Sequence, residues 1–209
     1  MLVMQINKII LYGASGHAKV ISSIVEAMDI FIDIIFDDNE KIINLNQYRV
    51  LNGYDKNYNP NIPIVISIGD NKIRKKISEK LSHPFTILIH PSSIIDKNAK
   101  IENGSVVFHN AIVQRDSIVG KHCIINTNAS IDHDCIINDF VHISPSATLC
   151  GNVSVGEGSH LGAGAIIIPN INIGKWCVIG AGAVITKDVP DYSLVVGIPG
   201  KIIKKLKND

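Results

Sequence analysis

Aromatic side chains are scarce in this chain: 5% of 209 residues, with a single tryptophan. Against 46% hydrophobic residues, that scarcity points to a core of aliphatic layers. An excess of charge of one sign is also lacking. Lys+Arg number 20 and Asp+Glu 19, for a formal net charge of +1. Nucleic-acid binders and polybasic membrane binders need such an excess, so neither class fits. The four cysteines, Cys123, Cys135, Cys150 and Cys177, include no C-x-x-C pair, which sets aside zinc-ribbon and thioredoxin-like readings. No run of eighteen apolar residues is present to span a bilayer. The opening MLVMQINKIILYGASG has neither a basic stretch nor a cleavage site after an apolar run, so no signal peptide is expected. The expectation is a soluble, reduced, cytoplasmic protein.

What the chain has in abundance is a repeat. Stepping by six from Ile95 through Ile101, Val107 and onward to Ile185 meets sixteen aliphatic residues in succession. The position two residues before each is mostly small, including Ala99, Ser105, Ala111, Ser117, Cys123 and Ala129. This is the pattern of a hexapeptide β-helix, in which the aliphatic residue points inward and the small one packs beside it. Three hexads close a triangular coil of about 18 residues, and sixteen hexads give roughly five coils. Hexapeptide coils wind left-handed, a hand that periodicity alone does not supply. Cys123, Cys135 and Cys177 fall in the small column and read as packing residues.

The first half alternates strand and helix. KIILY (8–12), IDIIF (32–36), PIVISIG (63–69) and FTILIH (85–90) read as strands. Val20, Ile21, Ile24, Val25 and Met28 mark one helix. Ile73, Ile77 and Leu81 mark the buried face of another, with Arg74, Lys75, Lys76, Glu79 and Lys80 opposite. Residues 40–62 read as a polar, irregular connection. The expected fold is an α/β Rossmann-like domain over 1–88, followed by a left-handed parallel β-helix over 89–209. Stacked apolar faces must end somewhere, so the N-terminal domain is expected to cap one end of the coil and residues 187–209 the other.

The turn Gly13-Ala14-Ser15-Gly16-His17 joins strand to helix, where glycines let a phosphate approach free amides. Asp37 follows Gly16 by about twenty residues, the place of a ribose-binding acid. The spacing is G-x-x-G rather than G-x-G-x-x-G, so a nucleotide smaller than a dinucleotide is favoured, and a ligand-free glycine turn stays open. His142 and His160 lie eighteen residues apart and stack on one edge. Ala163 and Ala181 share that spacing just past the next corner. His133, flanked by Asp132 and Asp134, sits at a different corner. Carboxylate neighbours raise the basicity of an imidazole and fix its tautomer, as a general base requires. A trimer packed through flat faces would bring His133 of one chain against the His142 strip of its neighbour. An exposed corner histidine without a role also remains open. His109 and His122 read as outward decorations, His83 and His90 as loop residues, and the lysines at 201, 204, 205 and 207 as a small basic tail on a solvated surface. A zinc site needs three converging imidazoles, and the H-x-x-x-x-H spacing of the metal-binding relatives is missing.

Taken in order, YGASGH (12–17), FDD (36–38), SIGDNKIRKKI (67–77), NTNASIDHDCIIND (126–139), HIS (142–144), LGAGA (161–165), IGAGAVITKDVP (179–190) and VGIPGK (196–201) resemble the PglD/NeuD-like nucleotide-sugar acetyltransferases of the hexapeptide-repeat superfamily, specifically the UDP-4-amino-sugar N-acetyltransferases of bacillosamine synthesis. The resemblance spans nearly the whole chain. It implies transfer of acetyl from acetyl-CoA to the amine of a nucleotide-linked 4-amino-4,6-dideoxy sugar, without a metal, in a homotrimer whose active sites lie between subunits. In that pattern His133 is the general base, Asp134 raises its basicity and Asn126 lines the active site. His142 contacts the thioester, while Ala163, Gly164, Ala181 and Gly182 follow the pantetheine arm. Ser15, Gly16, His17, Asp37, Asp38 and Gly69 hold the nucleotide-sugar. Two departures stand out: Gly200 replaces the usual alanine of G-x-P-A-K, and no long lid loop interrupts the hexads. A sugar or sialic acid O-acetyltransferase and a non-catalytic trimeric nucleotide-binding scaffold are the competing readings.

Overall fold

The computed structural model describes residues 7–207. The outermost residues of the two expected domains, and of the expected C-terminal cap, lie outside that range. Five strands build the first sheet: β1 (Lys8–Tyr12), β2 (Phe31–Asp37), β3 (Asn44–Leu45), β4 (Tyr48–Asn52) and β5 (Ile64–Ile66). Their order is β3-β4-β2-β1-β5, parallel except for the β3–β4 hairpin. Helix α1 (Gly16–Ala27) links β1 to β2, and α2 (Asn71–Ser78) follows β5. This is the expected Rossmann-like unit, with two corrections. Residues 40–62 hold β3 and β4, hidden from a pattern reading because only Leu45 and Val50 are buried in these short strands. FTILIH is not a fourth strand of this sheet. Pro84 precedes it, Phe85 makes a single bridge to Ile64, and Leu88–Ile89 is already the first rung of the coil.

From Leu88 the chain winds into a parallel β-helix of two-residue rungs, each paired with the rung eighteen residues on, as Ile124 pairs with His142 and His142 with His160. Three flat faces result. The first carries the rungs beginning at Leu88, Val106, Ile124, His142, His160 and Val178. The second carries Ile94, Ile112, Ser130, Thr148, Ile166 and Val184, and the third Lys100, Ile118, Ile136, Ser154 and Asn172. Inside lies one aliphatic cluster, with Val107, Ile125, Ile143 and Leu161 fully buried. The small column packs as expected: Cys123, Cys135 and Cys177 are buried and unpaired, and the Ser105, Ser117 and Ser159 hydroxyls donate to carbonyls of the next corner.

The sheet unit does not cap the end of the coil. It lies along the first face, because that face presents apolar side chains outward as well as inward. Val106, Phe108 and Ile124 join Ile21, Ile24 and Leu11 in one buried cluster, so α1 is pressed between sheet and coil. At the far end, Val189 bridges Ile173 and strand Ser193–Val196 stacks on Val178–Ile179. The turn at Gly200 then crosses the last rung, its N–H donating to the Val184 carbonyl at 2.7 Å. A Cβ at 200 would lie 2.7 Å from Cδ1 of Ile185, so an alanine here requires the end of that side chain to shift.

Helix α2 is turned relative to the amphipathic reading. Ile73 is 50% exposed, whereas Arg74 is 1% exposed and carries no carboxylate partner among the described residues. The Arg74 guanidinium donates to the carbonyls of His122 (2.8 Å), Phe140 (3.0 Å), Ile68 and Gly69 (both 3.1 Å) and to Asn71 Oδ1 (2.7 Å). Asn71 in turn donates to the carbonyls of Gly158 and Ser159. The fork of arginine donors is matched to stacked coil corners rather than to an acid, which an apolar-versus-polar count cannot see. Replacing Arg74 with methionine strips four carbonyls of a donor, those of His122 and Phe140 in buried surroundings. We expect a loss of about 2–4 kcal/mol in urea denaturation. An unchanged midpoint would show that these carbonyls find other partners.

Candidate active site

The site grows from the outward column of the first face. Where that column passes from Ile124 to His142, the apolar cover of α1 stops and a cavity of about 650 Å³ opens. Gly69, Asp70 and Asn71 wall it from one side, His142, His160, Trp176 and Val178 from the coil, and Leu206 and Lys207 from the C-terminal segment. The space exists partly because corner position 158 is glycine, whose missing side chain is replaced by the Trp176 indole.

His142 is fixed from one side. The Asn126 amide oxygen accepts from the Thr127 N–H at 2.8 Å, which turns its NH₂ toward His142 Nε2 at 3.1 Å. Nε2 therefore accepts, and the proton of the neutral ring sits on Nδ1. That Nδ1 is buried and makes no well-formed hydrogen bond, although the Gly69 carbonyl lies near enough to the ring to favour its charged form. His160 stacks on His142 with ring centroids 4.6 Å apart and planes within 2°, and bonds Ser144 Oγ at 2.8 Å. His17 reaches in from the first turn of α1, stacked on Phe108 and 6.3 Å from His142, with a buried, unpartnered Nε2. Burial, reinforced by His160 and Arg74, pushes His142 down to about 3; burial and Arg74 push His17 down to about 4. Both rings are neutral near pH 7. Among the described residues no group of histidine, cysteine or acid side chains converges to hold a metal ion.

The acidic pair of the first unit lies elsewhere. Asp37 Oδ2 accepts from the Ala14 N–H at 2.6 Å and braces the glycine turn, while Oδ1 accepts from the Asn39 N–H at 2.8 Å in the turn after β2. Asp38 accepts from the Tyr12 hydroxyl at 2.7 Å. Both line a cleft of about 370 Å³ with Tyr12, Ile68, Ile73 and Ile77. The exposed Ile73 is thus one wall of that cleft. Gly13 needs its glycine: φ is +110° and a Cβ would lie 2.6 Å from Ile68 Cγ1. Ser15 and Gly16 stand exposed at the start of α1, and the Ser15 side chain caps nothing. Gly69 bridges the two regions, lining the large cavity and lying near His17.

Ala163 and Ala181 sit exposed at the corner after the first face. Gly164 and Gly182 beside them have φ near +66° and open space where a Cβ would be. This corner is a smooth track for a thin chain. His133 is on another corner, between the second and third faces. Its Nδ1 meets Asp134 Oδ2 at 2.8 Å and both side chains are 60% exposed. The bond to Asp134, then the Asp132 charge, raises its pKa above the ordinary value. One chain therefore does not unite His133 with Asn126 and His142.

Two other histidines differ from the sequence reading. His122 is buried, stacked on Phe140 and edge-on to Phe85, because α2 covers its corner. His83 is buried and bonded to the Tyr54 hydroxyl and the Tyr58 carbonyl. His109 stacks on His90. Of the cavity wall, Asn71, Trp176 and Leu206 escaped the sequence reading as site residues, since nothing in their local pattern marks a site made by distant segments, whereas Lys207 belongs to the basic tail already noted.

Neutral buried histidines tie stability to pH. His17 and His142 titrate near 6.5 when unfolded but at about 4 and about 3 when folded. Their contribution is complete above pH 6.5 and is lost as pH falls toward those lower values. Thermal melting should therefore drop steadily below pH 6.5, and less steeply in His142→Asn. A midpoint flat down to pH 4 would sink the neutral assignment.

Comparison with known proteins is consistent throughout. Residues 8–81 match the model of the PglD N-terminal domain, and 152–187 that of the bacterial transferase hexapeptide (six repeats). The acetyltransferase domain of PglB from Neisseria gonorrhoeae, also solved with acetyl coenzyme A, is 35% identical and covers 94% of this chain and 100% of its own, with a TM-score of 0.86. PerB from Caulobacter crescentus, solved with CoA and GDP-perosamine, is 32% identical over 96% of this chain and 99% of its own, with a TM-score of 0.88. A UDP-N-acetylbacillosamine N-acetyltransferase of Bacillus subtilis is 38% identical over 111 residues, 48% of this chain and 51% of that relative, so the match spans about half the curated protein's length. Full-length similarity to the solved structures, with a left-handed hexapeptide coil beneath a PglD-type N-terminal domain, shows that this chain belongs to the PglD/NeuD-like family of nucleotide-sugar acetyltransferases.

Proposed function

We propose that the protein transfers acetyl from acetyl-CoA to the amino group of a nucleotide-linked 4-amino-4,6-dideoxy sugar, UDP-linked, in the cytoplasm. The observation that carries this is the neutral His142, held by Asn126, with an Nδ1–H that makes no well-formed hydrogen bond, at the wall of the cavity of about 650 Å³. A thioester carbonyl is the acceptor such a donor lacks, and polarising it is the task of the step. The Ala163–Gly164 and Ala181–Gly182 track fits the pantetheine arm leading there. The glycine turn at Ser15 and Gly16, with the Asp37–Asp38 cleft and Ile73, suits the nucleotide. The named activities of the relatives support the same chemistry.

His133 completes the reaction from a second subunit. The second and third faces meet at its corner and expose Ile94 and Ile166 on one side, Ile118 and Ile136 on the other. Burying these strips in a homotrimer sets His133 against the neighbour's His142 edge. With Nδ1–H held by Asp134, Nε2 is free to accept a proton. The amine attacks the thioester carbon, the C–N bond forms, and its proton passes to His133. The C–S bond then breaks, and the leaving CoA thiolate takes up a proton. Binding both partners in line supplies much of the remaining acceleration.

Thiol release from acetyl-CoA with UDP-, GDP- and dTDP-amino sugars, hydroxyl-only nucleotide sugars and sialic acid tests the assignment. Turnover is expected with a 4-amino nucleotide sugar. Turnover only with sialic acid would move the protein to O-acetylation, and binding without turnover would make it a scaffold. His133→Ala should lower kcat by roughly 10²–10⁴-fold with acceptor binding retained. Because its pKa is raised, activity should fall on the acid side as His133 protonates, and Asp134→Asn should move that limb to lower pH. Mixed trimers of His133→Ala and His142→Ala chains should regain roughly a quarter of the sites; no recovery would place each site within one chain.

A further inference from the structure

We propose that Gly151 is a positioning residue that fixes the His133 imidazole, an inference that rests on the proposed role of His133 as base. The backbone around His133 is tied down: its N–H donates to Asp132 Oδ1 at 2.8 Å, and its carbonyl accepts from the Asn152 N–H at 3.0 Å. The ring is not tied in the same way. One bond, Nδ1 to Asp134, leaves a largely exposed imidazole free to pivot about that contact. Asp116, Asp132, Asp134 and Arg115 are the charged groups at this stack of corners, and of these only Asp134 hydrogen-bonds the ring.

Gly151, one coil onward, meets the ring itself. It is buried although it sits at a corner, and a Cβ built on it would lie 2.5 Å from Cε1, 2.6 Å from Nε2 and 3.2 Å from Nδ1 of His133. The imidazole therefore rests on the bare backbone of the next coil, in the volume where any other residue would carry its side chain. The backbone itself does not require glycine there. Gly164 and Gly182 have left-handed φ values, and Gly156 and Gly162 would drive a Cβ into neighbouring backbone. Gly151 has neither constraint: its φ is outside the left-handed region and its three nearest obstructions all belong to the His133 ring. An alanine is thus compatible with the coil and incompatible with the seated ring. The ring would tilt away, carrying Nε2 off the line to the acceptor amine and loosening the bond to Asp134.

The test is a set of three variants, Gly151→Ala, His133→Ala and the pair together, assayed with acetyl-CoA and the preferred amino sugar. Gly151→Ala should lower kcat by roughly 10–100-fold, the cost of misplacing a reacting group by about 1 Å. The KM for acetyl-CoA and the melting temperature should stay as in the parent protein. In the His133→Ala background the same substitution should cost nothing further, since it acts through the ring. An NMR titration of the imidazole should show the His133 pKa falling toward its ordinary value in Gly151→Ala. Parental kcat in Gly151→Ala, or an equal loss with and without His133, overturns the proposal. If His133→Ala itself keeps full kcat, the base assignment fails instead. The titration then decides the positioning role alone, and an unmoved His133 pKa overturns it.

Discussion

One guanidinium holds the two halves of this molecule in register. Arg74 leaves solvent without an acid to neutralise it, and it is tolerable there only because its donors meet carbonyls on adjacent coils and on the loop before α2. Those carbonyls belong to different units, so the arginine is satisfied only when sheet and coil are docked. Its position sets that of Gly69 and Asn71, and hence one wall of the cavity. Its charge helps keep His17 and His142 neutral. Docking, cavity shape and imidazole state thus share one cause.

The coil was legible because its physics is periodic. An inward aliphatic every six residues and a small neighbour leave no other arrangement, and the eighteen-residue stacking of His142 on His160 follows by arithmetic. The glycine turn and its helix were legible for a similar reason, since strand, tight turn and helix follow one another locally. The docking was not. Outward positions such as Val106 and Ile124 repeat at the same spacing as His142, and only the tertiary partner decides which are covered. Arg74 and Ile73 exchanged their expected environments because a cleft and a coil corner, rather than a generic core, adjoin α2.

The site residues show the same division. The Asp132-His133-Asp134 cluster and the stacked histidines stand out in the sequence. The sequence also suggests Asp37 as a ribose ligand; its carboxylate lines the smaller cleft and also ties two turns, through the Ala14 and Asn39 amides, which the sequence did not show. Trp176 and Leu206 arrive from the far end of the chain and carry no local signature.

The winding of the coil also restricts how this gene can change length. His133 and His142 are nine residues apart, half of one coil, so they differ in height by about half the 4.8 Å strand spacing while facing different directions. Adding or removing a hexad between them would rotate every later residue onto the wrong face. Whole eighteen-residue coils could be gained or lost beyond Ala181 without altering any of these directions. The reading frame of the protein is therefore angular as well as linear, and an insertion that joins the coil path, rather than looping out at a corner, keeps these directions only as a complete turn.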